Sequence, residues 1–152
     1  MKSFLLKDKQ PICKWSMVPD EVYFEGKVPN GYGLAICPNE PYIILDVDMH
    51  GDIDGFKNLP VHLSKELYSS LNYPTKNQGR HFWLKYTGDK NLMNKASKLG
   101  IDLRTHKGYV KWYLDADIRK YKHLIKETSP SLNEWLESLF QGVNELNNLK
   151  NE

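Results

Sequence analysis

Between Pro41 and Gly51 the chain reads Pro-Tyr-Ile-Ile-Leu-Asp-Val-Asp-Met-His-Gly, and no other stretch restricts its fold and chemistry as much. The apolar, β-branched run Tyr42 to Leu45 has the length and composition of a buried strand. It ends on two carboxylates, Asp46 and Asp48, one residue apart. Side chains at i and i+2 of a strand point to the same face, so both acids share one side. Two carboxylates held that close repel each other unless a cation lies between them, and oxygen-only ligands suit a hard divalent ion. The same residues also read as a strand running into a polar loop, since Asp is common at turns.

A chain of 152 residues fits one domain and is long enough to bury a core. With 40% hydrophobic and 26% charged residues it has the composition of a soluble globular protein. No apolar run approaches the length of a membrane span and no signal segment follows Met1, so a cytoplasmic protein without membrane contact is expected. Cys13 and Cys37 have neither metal-ligand nor disulfide-framework spacing, and both read as packed small hydrophobes. The formal charge of +2 is uneven. From Ser129 on, Lys150 stands against Glu134, Glu137, Glu145 and Glu152, which leaves +5 on residues 1–128. That bias suits a polyanionic partner and equally a solvated basic face.

Residues 1–40 read as loop-rich, with a turn at Pro29-Asn30-Gly31-Tyr32-Gly33. Leu34 to Cys37 and Tyr42 to Val47, joined by Pro38-Asn39-Glu40-Pro41, are expected to be adjacent antiparallel strands. The polar run Gly51 to Gly55 lacks the ligand alternation of a calcium loop. Leu63, Leu67, Tyr68 and Leu71 predict a helix capped by Ser64 and stopped at Asn72-Tyr73-Pro74. Asn91 to Leu99 reads as a second helix, ended by Gly100. Ile101 to Arg104 and Tyr109 to Leu114 are expected to form a hairpin through Thr105 to Gly108.

Two of these stretches carry further chemistry. In Thr75 to Tyr86 a polar loop feeds a strand starting at His81. Its backbone N–H groups, with Lys76, Asn77 and Arg80, suit an anion such as phosphate, and His81 suits a donor to it, although a lone histidine there also serves structure. Asp102 and Arg104 share one side of their strand. Asp102 joins Asp46 and Asp48 if the two strands are neighbours.

In order along the chain, Asp46-x-Asp48, a Gly-containing loop closing on His81, and Ile101-Asp102-Leu103-Arg104 followed by Gly108-Tyr109-Val110 resemble the bifunctional DNA primase/polymerase (prim-pol) domain of the archaeo-eukaryotic primase superfamily. Lys9-x-Pro11 with Trp15, and Gly31-Tyr32-Gly33-Leu34, extend the resemblance to roughly residues 9–114. Members typically occur in phages, plasmids and other mobile elements. The resemblance implies that Asp46, Asp48 and Asp102 bind Mg²⁺ or Mn²⁺ and that His81, with Asn77, Gln78 and Gly79, contacts the phosphates of an incoming nucleoside triphosphate. Lys76, Arg80, Arg104 and Lys107 are further candidates for phosphate or template contacts. It implies an α/β (α+β) fold, a mostly antiparallel central sheet flanked by helices with an RNA-recognition-motif-like unit. The activity implied is template-dependent synthesis or extension of primers on single-stranded DNA. The sequence departs from the family where Asn77-Gln78-Gly79-Arg80 stands for a Ser-Gly-Gly loop, where Lys111 to Asp115 replaces a Pro-Pro-Ser, and in a short N-terminal region. Such departures fit a minimal version or a piece of a longer replication protein.

The chain divides into a catalytic domain, residues 1–128, and a C-terminal amphipathic helix, residues 129–152. That helix starts at Ser129-Pro130, with Ser131 and Glu134 spaced as a capping box. Leu132, Trp135, Leu136, Leu139, Phe140, Val143, Leu146 and Leu149 recur at helical spacing. The stripe is expected to pack on its own domain, or else to contact a helicase or other replication protein. The basic run Arg119, Lys120, Lys122 and Lys126 suits a nucleic-acid backbone and equally a solvated face. Two other functional classes remain: a metal-dependent nuclease or replication initiator, and a catalytically silent nucleic-acid-binding replication protein.

Overall fold

A computed structural model describes residues 1–115 and 117–142. The strands are β1 (Lys2–Lys7), β2 (Gln10–Pro11), β3 (Tyr32–Cys37), β4 (Tyr42–Val47), β5 (Met49–His50), β6 (Ile53–Asp54), β7 (Asn72–Pro74), β8 (Arg80–Lys85), β9 (Lys95–Ala96), β10 (Ile101–Arg104), β11 (Val110–Trp112) and β12 (Lys126–Glu127). The helices are α1 (Val61–Ser69), α2 (Ile118–Tyr121) and α3 (Pro130–Phe140). This is an α+β fold with mostly antiparallel sheets. A four-stranded sheet runs β11-β3-β1-β2, a six-stranded sheet runs β12-β8-β4-β10-β9 with β7 also on β8, and β5 pairs with β6 in a small hairpin. The one parallel pairing among the described strands joins β12 to β8. No helix of the described residues is long and apolar enough to cross a membrane.

Strand β4 is central because both of its faces are covered. Ile43, Leu45 and Val47 point into a core completed by Phe82, Leu84, Ile101 and Leu103, by Leu63 and Leu67 of α1, and by Leu132, Leu136 and Phe140 of α3. Ile44 points the other way, into a second core with Tyr73 and Trp83 that also holds Ile36, Val110 and Trp112 of the four-stranded sheet. Alternation along β4 thus makes one face a seat for helices and the other a seat for a second sheet. Asp46, two residues after Ile44, lies on the inter-sheet face just where the apolar filling stops.

Several local expectations are corrected. The strands β3 and β4 are not neighbours: β3 pairs with β1 and β11, and Pro38 to Pro41 carries the chain from one sheet to the other. The same holds for β10 and β11, which lie in different sheets, so Thr105 to Gly108 is a crossover rather than a hairpin turn. Short apolar strands that are close in sequence look like partners, and burial against two sheets overrides that proximity. Asn91 to Leu99 is not a helix: Lys95–Ala96 forms β9 at the edge of β10, and Lys98 and Leu99 turn the chain back. The Asn94 side chain accepts from the Thr105 N–H, and the Asn91 carbonyl accepts from Gly142 N–H, so polar groups that weaken a helix here tie the segment to its neighbours. Helix α1 begins after Pro60 and leaves Ser64 inside it. Ser129, rather than Ser131, caps α3 by accepting from the Leu132 N–H, with Pro130 in the first turn. Cys37 is buried as expected, whereas Cys13 is exposed. Because Leu132, Leu136 and Phe140 are part of the main core, the stripe is used by its own domain over residues 130–140; Val143, Leu146 and Leu149 lie outside the described residues.

Candidate active site

Register brings the candidate residues together. Asp46 on β4 stands opposite His81 on β8 and, on its other side, opposite Asp102 on β10. Directly paired residues on adjacent strands present their side chains on the same face, so three strands place two carboxylates and an imidazole in one row. His81 Nε2 is 3.5 Å from Asp46 Oδ1, and the His81 side chain is only 6% exposed. Asp102 accepts from the Ser97 N–H at 3.3 Å and lies 3.5 Å from the Arg104 guanidinium.

Asp48 follows the last residue of β4, and its backbone holds it there. Its N–H donates to the Gly100 carbonyl and its carbonyl accepts from the Gly55 N–H, each at 2.9 Å. At Gly55 a Cβ would run into the Gly100 and Asp48 carbonyls. Glycine is therefore required there by close approach rather than by turn chemistry. A Cβ on Gly79 would meet side chains instead, the Asp48 carboxylate and the Thr75 hydroxyl, with the Val47 carbonyl at 3.0 Å. The loop between β7 and β8 thus lies directly against the second acid. His50 Nε2 stands 3.8 Å from the same carboxylate.

That loop is closed by the Thr75 N–H donating to the Gly79 carbonyl at 2.9 Å. Asn77 and Gln78 both take left-handed backbone, with φ of 67° and 68°. Gln78, which replaces a glycine of the family pattern, nevertheless adopts the conformation a glycine takes freely. A non-glycine residue there costs about 1–2 kcal/mol, and strain of this kind collects at functional loops.

Burial and mutual repulsion act on the acids. Burial, followed by the charge of Asp46, pushes the Asp48 carboxyl above the ordinary Asp range. Burial also raises Asp102; the Arg104 guanidinium opposes that rise and Asp46 adds to it. Negative charge is therefore incompletely compensated at this end of the sheet, and an all-oxygen donor set of this kind suits Mg²⁺ or Mn²⁺ better than zinc. Among the described residues, no group of three or more His, Cys, Asp or Glu side chains is drawn together as the ligands of a single ion.

Three site features escaped the sequence reading. The Tyr73 hydroxyl accepts from the Trp83 indole N–H at 2.9 Å and lies 3.2 Å from His81 Nδ1. The indole is a donor only, so the phenolic hydrogen is free to point at Nδ1. When the phenol donates to Nδ1, the proton of a neutral imidazole is on Nε2, 3.5 Å from Asp46 Oδ1. Burial pushes the Tyr73 phenol well above its usual range and keeps it a neutral donor. Tyr113, just past β11, brings the second sheet over the site, its ring centroid 6.0 Å from that of His81. Burial raises its phenol too, against a hydrogen bond from the Lys76 backbone. Gly55 completes the set. Tyr73 was legible only as a helix stop because its relation to His81 comes from strand register.

Two other candidates, Arg80 and Lys107, lie elsewhere. Arg80 alternates to the opposite face of β8, where it donates to Asn72 at 2.6 Å and stacks over Tyr68 of α1. Lys107 occupies the turn after β10, at the sheet end of Glu40 and Asn94. Lys76, Asn77 and Gln78 are exposed on the loop beside Asp48.

The family model described as "Bifunctional DNA primase/polymerase, N-terminal" matches residues 6–135, reaching beyond the segment that carries the resemblance. No curated protein matches the chain.

Proposed function

The chain belongs to the bifunctional DNA primase/polymerase family, and from that premise we propose a template-dependent nucleotidyltransferase that makes or extends primers on single-stranded DNA from nucleoside triphosphates. The observation that carries this reading is the register row His81–Asp46–Asp102, with Asp48 clamped beside it. The reaction joins a 3′-hydroxyl oxygen to the α-phosphorus of the incoming nucleotide and releases pyrophosphate. Asp46, Asp48 and Asp102 would hold the Mg²⁺ or Mn²⁺ ions, which supply charge neutralisation for the attacking and leaving oxygens. The acids themselves stay near the inter-sheet cleft, where partial burial strengthens their pull on cations. His81, with its proton held on Nε2 by Tyr73, donates to a phosphate oxygen. The loop residues Lys76, Asn77, Gln78 and Gly79 offer backbone N–H groups and one ammonium to the same triphosphate. Arg104 holds Asp102 and remains near enough to meet phosphate. The biological setting proposed, replication of a phage or other mobile element, rests on the resemblance.

The test is incubation with unprimed and primed single-stranded DNA, labelled nucleoside triphosphates and Mn²⁺ or Mg²⁺, beside an Asp46→Asn/Asp48→Asn double variant. The expected result is product that lengthens with time and is missing from the variant. Shortening of the template in place of product would make the protein a nuclease, and no change on either template would make it a silent nucleic-acid binder.

A further inference from the structure

A groove of about 580 Å³ is lined by loops of both sheets, and Asp46, Asp48 and Asp102 are not among its lining residues. Its walls include Lys9, Lys76 and Lys111 together with Tyr32, Tyr109 and Tyr113, and Asp8 is the one acid among its lining residues. Elsewhere on the molecule lysines meet acids, as Lys85 does with Glu127 and Lys90 with Asp89. Among the described residues, Lys9, Lys76 and Lys111 form no ion pair, so the groove carries three ammoniums against the single carboxylate of Asp8. Two rings carry a lysine over one face, Lys111 at 5.4 Å from the Tyr113 centroid and Lys7 at 5.5 Å from that of Tyr32, which leaves the opposite face of each for a base. Tyr113 forms the end of the groove nearest the site, because its ring also contacts His81.

We propose that this groove binds single-stranded polynucleotide, with Lys9 and Lys111 on its phosphates and Tyr32 and Tyr113 under its bases, and delivers it to the carboxylates as the template. Unpaired ammoniums along a groove track a backbone, while aromatic faces accept any unstacked base. A duplex would keep its bases stacked and leave the tyrosine faces unused. The role as template rests on the polymerase reading, but binding of the strand does not.

The test is fluorescence anisotropy with a labelled single-stranded DNA of about 16 nucleotides across a salt series, beside a separate titration with a nucleoside triphosphate and Mn²⁺. Lys9→Glu/Lys111→Glu should weaken strand binding at least tenfold and lower the slope of log K against log salt by about 1.4, roughly 0.7 per lost phosphate contact. Tyr32→Ala should weaken it about tenfold through lost stacking. Triphosphate affinity should hold in both, and Lys65→Glu/Lys90→Glu, with the same change in net charge, should stay within twofold of wild type. Retained strand binding in Lys9→Glu/Lys111→Glu, an equal loss in the control variant, a loss confined to the triphosphate, or no strand binding by the wild type would each overturn the proposal. Strand binding at the groove in a protein that makes no primer would keep the groove and remove the polymerase reading.

Discussion

Replacing Tyr73 with Phe removes one oxygen from a fully packed site and separates the support of His81 from His81 itself. The hydroxyl serves two buried groups, the Trp83 indole N–H and His81 Nδ1. Trp83 is 0% exposed and His81 5%, so water does not replace the lost partner. An unsatisfied buried polar group costs about 1–3 kcal/mol, and with phenylalanine filling nearly the same volume the loss should be about 2 kcal/mol. For a chain of this size that lowers Tm by roughly 4–8 °C. The catalytic effect should be smaller than that of deleting the imidazole. A hydrogen bond to a charged phosphate contributes about 1.5–3 kcal/mol, so His81→Ala should lose roughly 10- to 100-fold in kcat/KM. Tyr73→Phe only frees the tautomer and should lose about three- to tenfold, mainly as a higher KM for the triphosphate. Differential scanning calorimetry and steady-state incorporation measure both, and the ¹⁵N resonances of His81 report the tautomer. Unchanged Tm, unchanged KM and a His81 Nδ1 that remains the unprotonated nitrogen in the variant would refute the reasoning.

Asp48 and Asp102 titrate above the ordinary Asp range, so the folded protein holds more protons than the unfolded chain just above that range. Stability should therefore rise as pH falls through this window, and the penalty should be fully present above the raised values; urea denaturation from pH 7 down to 4 in Asp102→Asn should show a flatter slope than wild type. Gln78→Gly relieves left-handed strain and gives up part of that gain to backbone entropy, for a net increase of about 0.5–1 kcal/mol in chemical denaturation. Gly79→Ala drives a methyl into the Asp48 carboxylate and should cost at least ~2 kcal/mol and nearly all incorporation, which an activity assay with a parallel melt will show.

The parts of the site legible in the sequence are those written locally. Asp46 and Asp48 announce themselves by alternation after an apolar run, His81 by the loop-to-strand switch, and Asp102 by its position between Ile101 and Leu103. Strand partnership was not legible. Leu34 to Cys37 and Tyr42 to Val47 look like a hairpin because both are short, apolar and joined by a turn-rich tetrapeptide, yet each has better burial in a different sheet. The error propagates to Tyr109 to Leu114, whose place in the second sheet brings Tyr113 over His81. Gly100 has the look of a helix stop in the sequence, and its carbonyl instead receives the Asp48 N–H. Arg80 shows the limit of proximity in sequence: one residue before His81, it faces the opposite side of the sheet. Lys9 and Lys111, which share the groove, lie about a hundred residues apart and meet only through β1, β3 and β11.

The central claim is that Asp46 on β4, Asp48 just beyond it and Asp102 on β10 form a divalent-cation site, and the most direct test is Mn²⁺ binding followed by the loss of the free-ion electron paramagnetic resonance signal. In the presence of a nucleoside triphosphate and at neutral pH, the wild type should bind Mn²⁺ saturably, and Asp46→Asn/Asp48→Asn should lose that binding while keeping its fold. Equal binding by the wild type and the double variant would contradict the account.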